Sequence, residues 1–294
     1  MKSPIVVMKI QNPVYMPVVS VLMPLYNTRE DHLREAIESI LGQTFMDFEF
    51  LILNDSPDNV RLREIVASYS DPRIRYIENQ ENLGISSSRN RLLKEAVGEF
   101  VAVMDHDDIS LPQRLEKQLS YLRKHPDVDV VSSYSRYLGK KKLRTFPVED
   151  SDIKEMMTLR NAMEHSATMM RRSLLVDNGI IYRSEFFPAE DYALNSDLMK
   201  FAKFHNIPEV LLLYREHGGN TTHLNCRKMH FADVAVKAEI RTRYPQLWAI
   251  ARDKYASSYT TYLFGFIPFL KIVRKRERSY KIYLFGFILL FKIK

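Results

Sequence analysis

The first hundred residues alternate short apolar runs with segments whose apolar residues recur every three or four positions. Residues 18–24 form a β-branched apolar run, and residues 31–41 then place Leu33, Ile37 and Ile40 at helical spacing. The same alternation predicts further strands at residues 48–53, 73–77 and 100–104 and further helices at 60–69 and 86–97. Strand–helix units of this length require right-handed crossovers between parallel strands. The sequence therefore predicts an α/β fold with a mostly parallel sheet and flanking helices.

The second half of the chain is less regular. Its apolar spacing predicts strands at 165–170 and 210–214 and helices at 191–205 and 228–244. An internal repeat follows, in which YLFGFIPFLKIV (262–273) returns as YLFGFILLFKIK (283–294), 21 residues later. We divide the chain into an N-terminal extension (1–17), a catalytic domain (18–225) with halves at 18–110 and 111–225, and a helical C-terminal region (226–294).

The formal net charge of +7 is concentrated at the C-terminus. Residues 252–294 contain ten Lys or Arg against Asp253 and Glu277, so residues 1–251 carry a net charge near −1. A basic excess confined to one end fits attachment to an anionic surface better than it fits a nucleic-acid-reading domain. The one cysteine, Cys226, excludes an internal disulfide, and no signal-peptide core precedes the first strand, so we expect a cytoplasmic protein.

Polar and acidic residues follow the predicted strands, where open α/β sheets bind their ligands. Asn27 follows the first strand, Asp55 the second, and Asp105-His106-Asp107-Asp108 the fourth. Carboxylates two apart in an extended segment share a face. Mg²⁺ and Mn²⁺ prefer such hard oxygen ligands, together with phosphate and water. The alternative interpretation of this segment is a solvated acidic turn, and Asp108 by itself is alternatively a cap of the helix that starts near Pro112.

Four separated segments resemble family 2 glycosyltransferases of the GT-A fold, bacterial lipopolysaccharide and polysaccharide type, and occur in the family's order. They are VSVLMPLYN (19–27), LREAIESILGQTFMDFEFLILND (33–55), ENLGISSSRNRLLKEAVGEFVAVMDHDD (81–108) and PAEDYAL (188–194). The resemblance covers roughly residues 18–217. It implies a GT-A catalytic domain, followed here by a helical, membrane-seeking tail.

The resemblance also implies a donor site. Pro24, Tyr26 and Asp55 would line the nucleoside pocket, and Asp55 would accept a hydrogen bond from the base, which favours a uridine donor. Arg89 would contact the nucleotide, while Asn82 and Gly84 would shape the preceding loop. Asp55 is alternatively a turn cap, and Gly84 a turn glycine.

The metal and catalytic residues are implied in the same way. Asp105 would serve the metal and the nucleotide, Asp107 would bind Mn²⁺ or Mg²⁺ directly, and His217 would complete the metal or diphosphate site. A metal bridging the donor phosphates would neutralise the leaving group. Asp191 would be the general base of an inverting transfer, with Glu190 contacting the acceptor or orienting the loop.

Several of these residues have simpler interpretations. Glu190 and Asp191 are acids of the kind favoured at a helix N-terminus, and His217 is alternatively structural. His165 and Ser166 stay undecided. Ser56-Pro57 replaces the glycine and serine that commonly follow the Asp55 position, which makes base specificity less secure.

The repeat predicts attachment to the inner face of the cytoplasmic membrane through residues 262–294. Neither apolar copy approaches the roughly 20 residues needed to span a bilayer, and Arg274-Lys275-Arg276-Glu277-Arg278 lies between them. Short aromatic segments beside basic residues suit a lipid interface. The alternative is packing of the tail on its own domain or on a second subunit.

The leading hypothesis is a metal-dependent, inverting hexosyltransferase. It would add a single sugar to a lipid-linked, lipooligosaccharide or polysaccharide acceptor, because the arginine-tryptophan motif of processive synthases is absent around Trp248. A sugar nucleotidyltransferase and an inactive membrane-bound scaffold of the same fold are the alternatives. No GxGxxG follows a strand, which disfavours a dehydrogenase.

Overall fold

The computed structural model describes residues 16–255 and, beyond them, the backbone of residues 258–263, 267–276, 279–284 and 288–293. The strands are β1 (Val19–Leu25), β2 (Phe48–Asn54), β3 (Ile74–Glu78), β4 (Phe100–Val103), β5 (Ile109–Ser110), β6 (Val130–Tyr137), β7 (Leu143–Arg144), β8 (Met169–Arg171), β9 (Phe204–Tyr214), β10 (Ser258–Leu263), β11 (Ile267–Arg276), β12 (Ser279–Leu284) and β13 (Ile288–Ile293). The helices are α1 (Glu30–Leu41), α2 (Val60–Ala67), α3 (Ile85–Glu95), α4 (Arg114–Lys124), α5 (Asp150–Met157), α6 (Arg172–Asn178), α7 (Glu190–Leu198), α8 (Thr221–Leu224), α9 (Cys226–Arg243) and α10 (Pro245–Tyr255). The predicted alternation of strands and helices in the first half is confirmed. Most of the observed element ends differ from the predicted ends by one or two residues.

The central sheet is mixed, with strand order β3-β2-β1-β4-β8-β6-β9-β5 and β7 paired to β6. The four strands of the first half are parallel, as the strand–helix alternation requires. Antiparallel β8 then joins β4 to β6, and β9 runs parallel to β6. The predicted α/β fold is confirmed, and its second half supplies the antiparallel strands.

Two hydrophobic clusters cover the two faces of this sheet. On β1, Leu22 belongs to one cluster, whereas its neighbours Val21 and Met23 belong to the other, because successive strand residues point to opposite faces. Helices α1, α2 and α4 pack on the second face, and α3, α7 and α9 pack on the first. Both faces of the sheet are therefore covered, and the polar strand ends lie outside the core.

Three predicted elements of the second half have different bounds, and one of them, the strand predicted at 210–214, already begins at Phe204. The segment predicted as a strand at 165–170 begins as a 3-10 turn over residues 165–167, because Ala167 N and Thr168 Oγ1 donate to the Glu164 carbonyl. The helix predicted at 191–205 ends at Leu198, since the chain from Phe204 onward pairs with β6.

The sequence repeat corresponds to a structural repeat. Leu263 pairs with Ile267 across β10 and β11, and the same pairing recurs 21 residues later between Leu284 and Ile288. The helical prediction holds over α9 and α10 but is wrong for the described segments past Tyr255, which form the antiparallel sheet β10-β11-β12-β13. Their β-branched and aromatic residues favour strands. The connecting residues 264–266 and 285–287, and residues 1–15 of the predicted N-terminal extension, lie outside the described residues.

Membrane attachment through residues 262–294 depends on side chains outside the described residues and stays a prediction. In the part of the chain that the structure describes, no helix combines the length and apolar character needed to cross a bilayer.

Candidate active site

Asp55 lies at the end of β2 and holds the loop that leads into α3. Its Oδ1 accepts hydrogen bonds from Asn79 Nδ2 at 2.6 Å and Leu83 N at 2.9 Å, and its Oδ2 accepts one from Gly84 N at 2.9 Å. Asp55 is 3% exposed. Gly84 adopts φ +81°, which favours glycine, and Asn82 Oδ1 accepts a second hydrogen bond from its N–H. Asp55 thus anchors the Asn82–Gly84 loop, where the sequence placed a donor-binding loop.

The other predicted nucleoside residues lie at the adjacent end of β1. Pro24 is buried within the strand, whereas Tyr26, just past its end, is 49% exposed. Asn27 follows with φ +45°, and its N–H donates to Ser56 Oγ at 3.0 Å. The ends of β1 and β2 are thereby joined, and Tyr26 presents an aromatic ring to solvent beside them.

Arg89 of α3 connects the predicted donor and acceptor residues. Its Nη2 donates to Asp105 Oδ1 at 2.9 Å and its Nη1 donates to Glu190 Oε1 at 2.8 Å. Arg89 is 7% exposed, and its guanidinium lies 5.4 Å from the centroid of the Tyr182 ring. Two charge-assisted hydrogen bonds in a buried environment fix the end of β4 against the start of α7.

Burial and charge act in opposite directions on these groups. Burial, the largest single influence, would raise the pKa of Asp105, but the Arg89 charge, the neighbouring His165 and His106 and the Ser166 hydrogen bond together outweigh it and lower that pKa to about 2. Burial also raises the pKa of Glu190 and of Asp191, and there the Arg89 charge offsets the effect only in part. The network therefore holds Asp105 as a permanent anion, whereas Asp191 binds a proton more readily than an ordinary aspartate.

Asp191 is partly exposed in the first turn of α7, next to Glu190. Its Oδ2 accepts a hydrogen bond from Asn161 Nδ2 at 3.1 Å, and its Oδ1 accepts one from Tyr192 N at 2.7 Å. Asp105 is close enough to Asp191 for its charge to raise the Asp191 pKa. The predicted base therefore lies in the same charged cluster as the predicted donor residues.

Asp107 and His217 are in direct contact, although 110 positions separate them in the sequence. His217 Nε2 lies 2.8 Å from Asp107 Oδ2, and the two side chains are 29% and 14% exposed. A carboxylate and an imidazole that are both partly exposed to solvent suit Mn²⁺, which binds oxygen and nitrogen ligands. Mg²⁺ would bind through the carboxylate oxygen. Within the described residues, no three His, Cys, Asp or Glu side chains group closely enough to hold a metal ion by themselves. The pair suits an ion that takes its remaining ligands from substrate phosphates and water.

Asp105 differs from Asp107 in its partners. Ser166 Oγ donates to Asp105 Oδ2 at 3.0 Å, so both Asp105 oxygens accept hydrogen bonds from the protein. Asp105 therefore faces Arg89 and Ser166 rather than His217.

Asp108 does not cap the following helix. Helix α4 begins after Gln113 with no side-chain cap, and Asp108 instead accepts a hydrogen bond from Arg215 N at 2.8 Å. The Asp107 carbonyl accepts another from Arg215 Nε at 2.7 Å. Asp108 thus joins the acidic segment to the strand β9 that leads to His217.

Two undecided residues of the sequence belong to the cluster. Ser166 contacts Asp105, and His165 is 6% exposed with its Nε2 3.3 Å from the Tyr182 hydroxyl. Burial, assisted by the Arg89 charge, lowers the pKa of His165 to about 3, so the ring is neutral. The 3-10 turn of residues 165–167 brings both side chains to this cluster. The sequence predicted a strand there, and a strand does not predict that both side chains lie in the site.

Gln43 and Arg114 position the acidic segment from outside the site. Gln43 Oε1 accepts a hydrogen bond from Leu115 N at 3.0 Å, and Gln43 Nε2 donates to the Leu111 carbonyl at 2.9 Å. Arg114 has no exposed surface and donates to the carbonyl of Val103, the last residue of β4. Gln43 belongs to the Gln-Thr turn that the resemblance includes, whereas no sequence signal marked Arg114.

Residues 20–178 match the family described as glycosyl transferase family 2. An uncharacterized glycosyltransferase of Methanocaldococcus jannaschii is 35% identical over 211 residues, which cover 68% of this chain and 71% of that protein.

Two solved structures share the fold. TarS of S. aureus (residues 1–349), crystallised with UDP-GlcNAc, has a TM-score of 0.66 at 19% identity and covers 81% of this chain and 73% of its own. The mannosyltransferase PcManGT of Pyrobaculum calidifontis, in complex with GDP-Man and Mn²⁺, has a TM-score of 0.59 at 18% identity and covers 83% and 72%. At these identities the two structures establish the GT-A fold.

The family match spans the segments that carry Asp55, Arg89, Asp105 and Asp107, and it extends over more than half of the chain. The chain belongs to glycosyltransferase family 2 and is a glycosyltransferase enzyme with a GT-A fold.

Proposed function

We propose that this enzyme transfers a single sugar, with inversion, from a nucleotide diphosphate donor to a lipid-linked or polysaccharide acceptor. The observation that carries the proposal is the Arg89 bridge between Asp105 and Glu190. It joins the donor half (18–110) to the acceptor half (111–225) at one charged cluster. An inactive scaffold would have no need to keep these buried, mutually dependent charges.

In this proposal Asp107 and His217 hold a divalent cation, Mn²⁺ or Mg²⁺, with the donor diphosphate. The cation, when bound, would stabilise the charge that develops on the leaving diphosphate. Asp105 acts as the anion that orients Arg89, and Tyr26 supplies an aromatic surface for the base. The bound Mn²⁺ of the mannosyltransferase neighbour supports divalent-metal use in this fold.

Asp191 takes the proton of the acceptor hydroxyl as that oxygen attacks the anomeric carbon, and the bond from this carbon to the donor diphosphate breaks on the opposite side. Burial raises the Asp191 pKa, which makes the carboxylate a stronger base, and Asn161 holds one of its oxygens. Glu190 is fixed by Arg89 and positions the first turn of α7.

Uridine is the proposed base of the donor. Asp55 Oδ2 accepts one protein hydrogen bond, which leaves it a second acceptor position for a base N–H. The UDP-GlcNAc bound to the TarS neighbour supports a uridine donor, and the GDP-Man bound to the mannosyltransferase is the alternative.

The proposal is tested by thermal unfolding with a panel of nucleotide sugars, with and without Mn²⁺. A ligand that binds only the native state raises the melting temperature. We expect UDP sugars to raise it more in the presence of Mn²⁺, and Asp107→Asn to remove the Mn²⁺-dependent part. The matched control Asp58→Asn changes an exposed aspartate near Asp55 and should keep the full shift. A shift with guanosine donors alone would refute the uridine assignment.

The proposed location is the cytoplasm, with peripheral attachment to the inner membrane. The basic excess of residues 252–294 and the two apolar repeat copies support that attachment.

A further inference from the structure

Helix α9 has apolar residues on two opposite faces. Its inner face packs into the core through Ala232, Val236 and Ile240. A helix at a protein surface usually has polar residues on the opposite side. Here Phe231 is 62% exposed and Val234 48% exposed, and Leu224 at the end of α8 is 69% exposed.

These residues lie close together along the chain. Positions 227, 231, 234 and 238 recur every three or four residues and therefore share one side of α9; Lys228 is next to Arg227, and Leu224 ends the short helix α8, which Asn225 separates from α9. We call the residues at these positions the outer face of α9: Leu224, Arg227, Lys228, Phe231, Val234 and Ala238. Single exposed apolar residues are ordinary, but an apolar stripe along a helix indicates a surface that contacts something.

The charges on this segment are one-sided. Arg227 and Lys228 are exposed, and neither has an ion-pair partner among the described residues. The two acids of α9 are neutralised, Asp233 by Lys237 and Glu239 by Arg183 and Arg243. The outer face therefore combines apolar side chains with two unpaired cations.

We propose that the outer face of α9 docks on an anionic lipid surface. Amphipathic helices at a bilayer interface combine this kind of apolar stripe with Lys and Arg that contact acidic headgroups. A second copy of the chain fits less well, because its own outer face offers no acid to Arg227 and Lys228, since the two acids of α9 are already paired.

Docking of this face would orient the catalytic domain. The inner face of α9 shares a core with Leu194 and Leu198 of α7, the helix that begins with Glu190 and Asp191. The loop that carries His217 leads directly into α8. The outer face thus belongs to a helix that packs against the acceptor half, and docking would hold that half near the membrane. This consequence rests on the proposed lipid-linked acceptor, whereas the docking itself does not.

A fluorescent label on the full chain tests the proposal. Cys226 is the one cysteine, so Cys226→Ser followed by Phe231→Cys gives a single position for an environment-sensitive dye. Val176→Cys in the same background is the matched control, because Val176 is 57% exposed on a different helix, α6. Val234→Cys provides a second label on the outer face.

The probes are vesicles of phosphatidylcholine, with and without phosphatidylglycerol. We expect dye emission at positions 231 and 234 to shift to the blue with phosphatidylglycerol vesicles, and emission at 176 to stay unchanged. Phe231→Ser with Val234→Ser should weaken vesicle binding by about tenfold, while Val176→Ser should not.

Three results would overturn the proposal. The dye at 231 stays in water while the protein sediments with the vesicles, or the protein does not bind vesicles at all. The third is a dye at position 231 that is already shielded from water without lipid. Shielding at every protein concentration would mean that the tail covers this face. Shielding that increases with protein concentration would mean that a second copy of the chain covers it. A nucleotide-sugar thermal shift on the same labelled protein separates failure of docking from failure of the proposed function.

Discussion

At the scale of single residues, Arg89 determines the charge state of the site. It is buried against Asp105 and Glu190, so removal of its guanidinium would leave two carboxylates without a counter-ion. The sequence identified Arg89, Asp105, Glu190 and Asp191 through two of the four segments, 81–108 and 188–194. It did not show that one arginine joins them, because the residues in that contact are up to 101 positions apart.

Asp191→Asn should separate donor binding from chemistry. The amide keeps the shape of the side chain but cannot take a proton, so we expect transfer to fall by about 10²- to 10⁴-fold with the donor thermal shift intact. Because the Asp191 pKa is raised above its ordinary value of 3.8, the acid limb of kcat/KM in the native enzyme should lie above that value. Steady-state transfer rates across pH measure both effects.

Asp197→Asn is the control for that experiment, since Asp197 lies on the same helix but pairs with Arg183 and Arg243. It should retain transfer. Loss of the donor thermal shift in Asp191→Asn would show that Asp191 contributes to the donor site and is misassigned as the base.

His165 should make folding stability depend on pH. Its folded pKa is about 3 because of burial and the Arg89 charge, against 6.5 for an ordinary histidine. The unfolded chain therefore binds the proton more readily, and this contribution to stability is complete above about pH 6.5 and is lost as pH falls towards 3. In His165→Gln, urea denaturation should show a smaller loss of unfolding free energy between about pH 7 and about pH 5.

The exposed His230 provides the control, and His230→Gln should leave the pH dependence of stability unchanged. An equal loss of stability in native protein and His165→Gln would mean that His165 is not buried as a neutral ring.

At the scale of elements, the sequence predicted the strands and helices whose position depends only on their own residues. The strand and helix positions of residues 18–104 follow from apolar periodicity, since each element is a short run with its own buried face. The end of α7 could not be predicted in this way. Lys203 N donates to Asp129 Oδ2, and Phe204 then pairs with Val130, so a distant strand ends the helical region.

The tail shows the same limit in another form. The repeat was visible in the sequence, but its aromatic and aliphatic residues suit a strand or an interfacial helix. The recurrence of the Leu263–Ile267 pairing at Leu284–Ile288 assigns each copy to two adjacent strands.

Gly98 should be required for the contact between β1 and β4. A Cβ at this position would lie 2.7 Å from Ser20 N and 2.9 Å from Ser20 Oγ, where Gly98 N also donates to Ser20 Oγ. Gly98→Ala would force the two central strands apart, and we expect a loss of about 1–3 kcal/mol of unfolding free energy in urea denaturation. Gly218→Ala, where nothing lies within 4 Å of the added Cβ, is the control. Equal stability of the two variants would contradict the close approach of the strands.

At the scale of the whole molecule, charge is divided between two regions. Residues 1–251 are nearly neutral, and residues 252–294 carry an excess of eight positive charges. Such a division favours one orientation on an anionic surface, because the field near the tail exceeds that elsewhere. The outer face of α9 lies outside this basic segment, so it would add a second contact and restrict rotation about the first.

Replacement of the cations at 274, 275, 276 and 278 by glutamine in the full chain tests this division. Each Lys or Arg near an anionic surface contributes about 1 kcal/mol, so we expect binding to phosphatidylglycerol vesicles to weaken by about 10²- to 10³-fold at low salt. Transfer to a soluble acceptor should be unchanged, because none of the four residues belongs to the candidate site.

The control removes the same net charge from the catalytic domain, at the exposed or half-exposed Arg61, Lys117, Lys140 and Lys203. If both variants lost the same affinity, net charge alone would govern binding; if neither did, the tail would not be the attachment device. A loss of vesicle affinity in the tail variant alone would assign the attachment to the basic segment between the two repeat copies. The difference in affinity between native protein and tail variant should then shrink as salt is added, because salt screens the charges of the native protein.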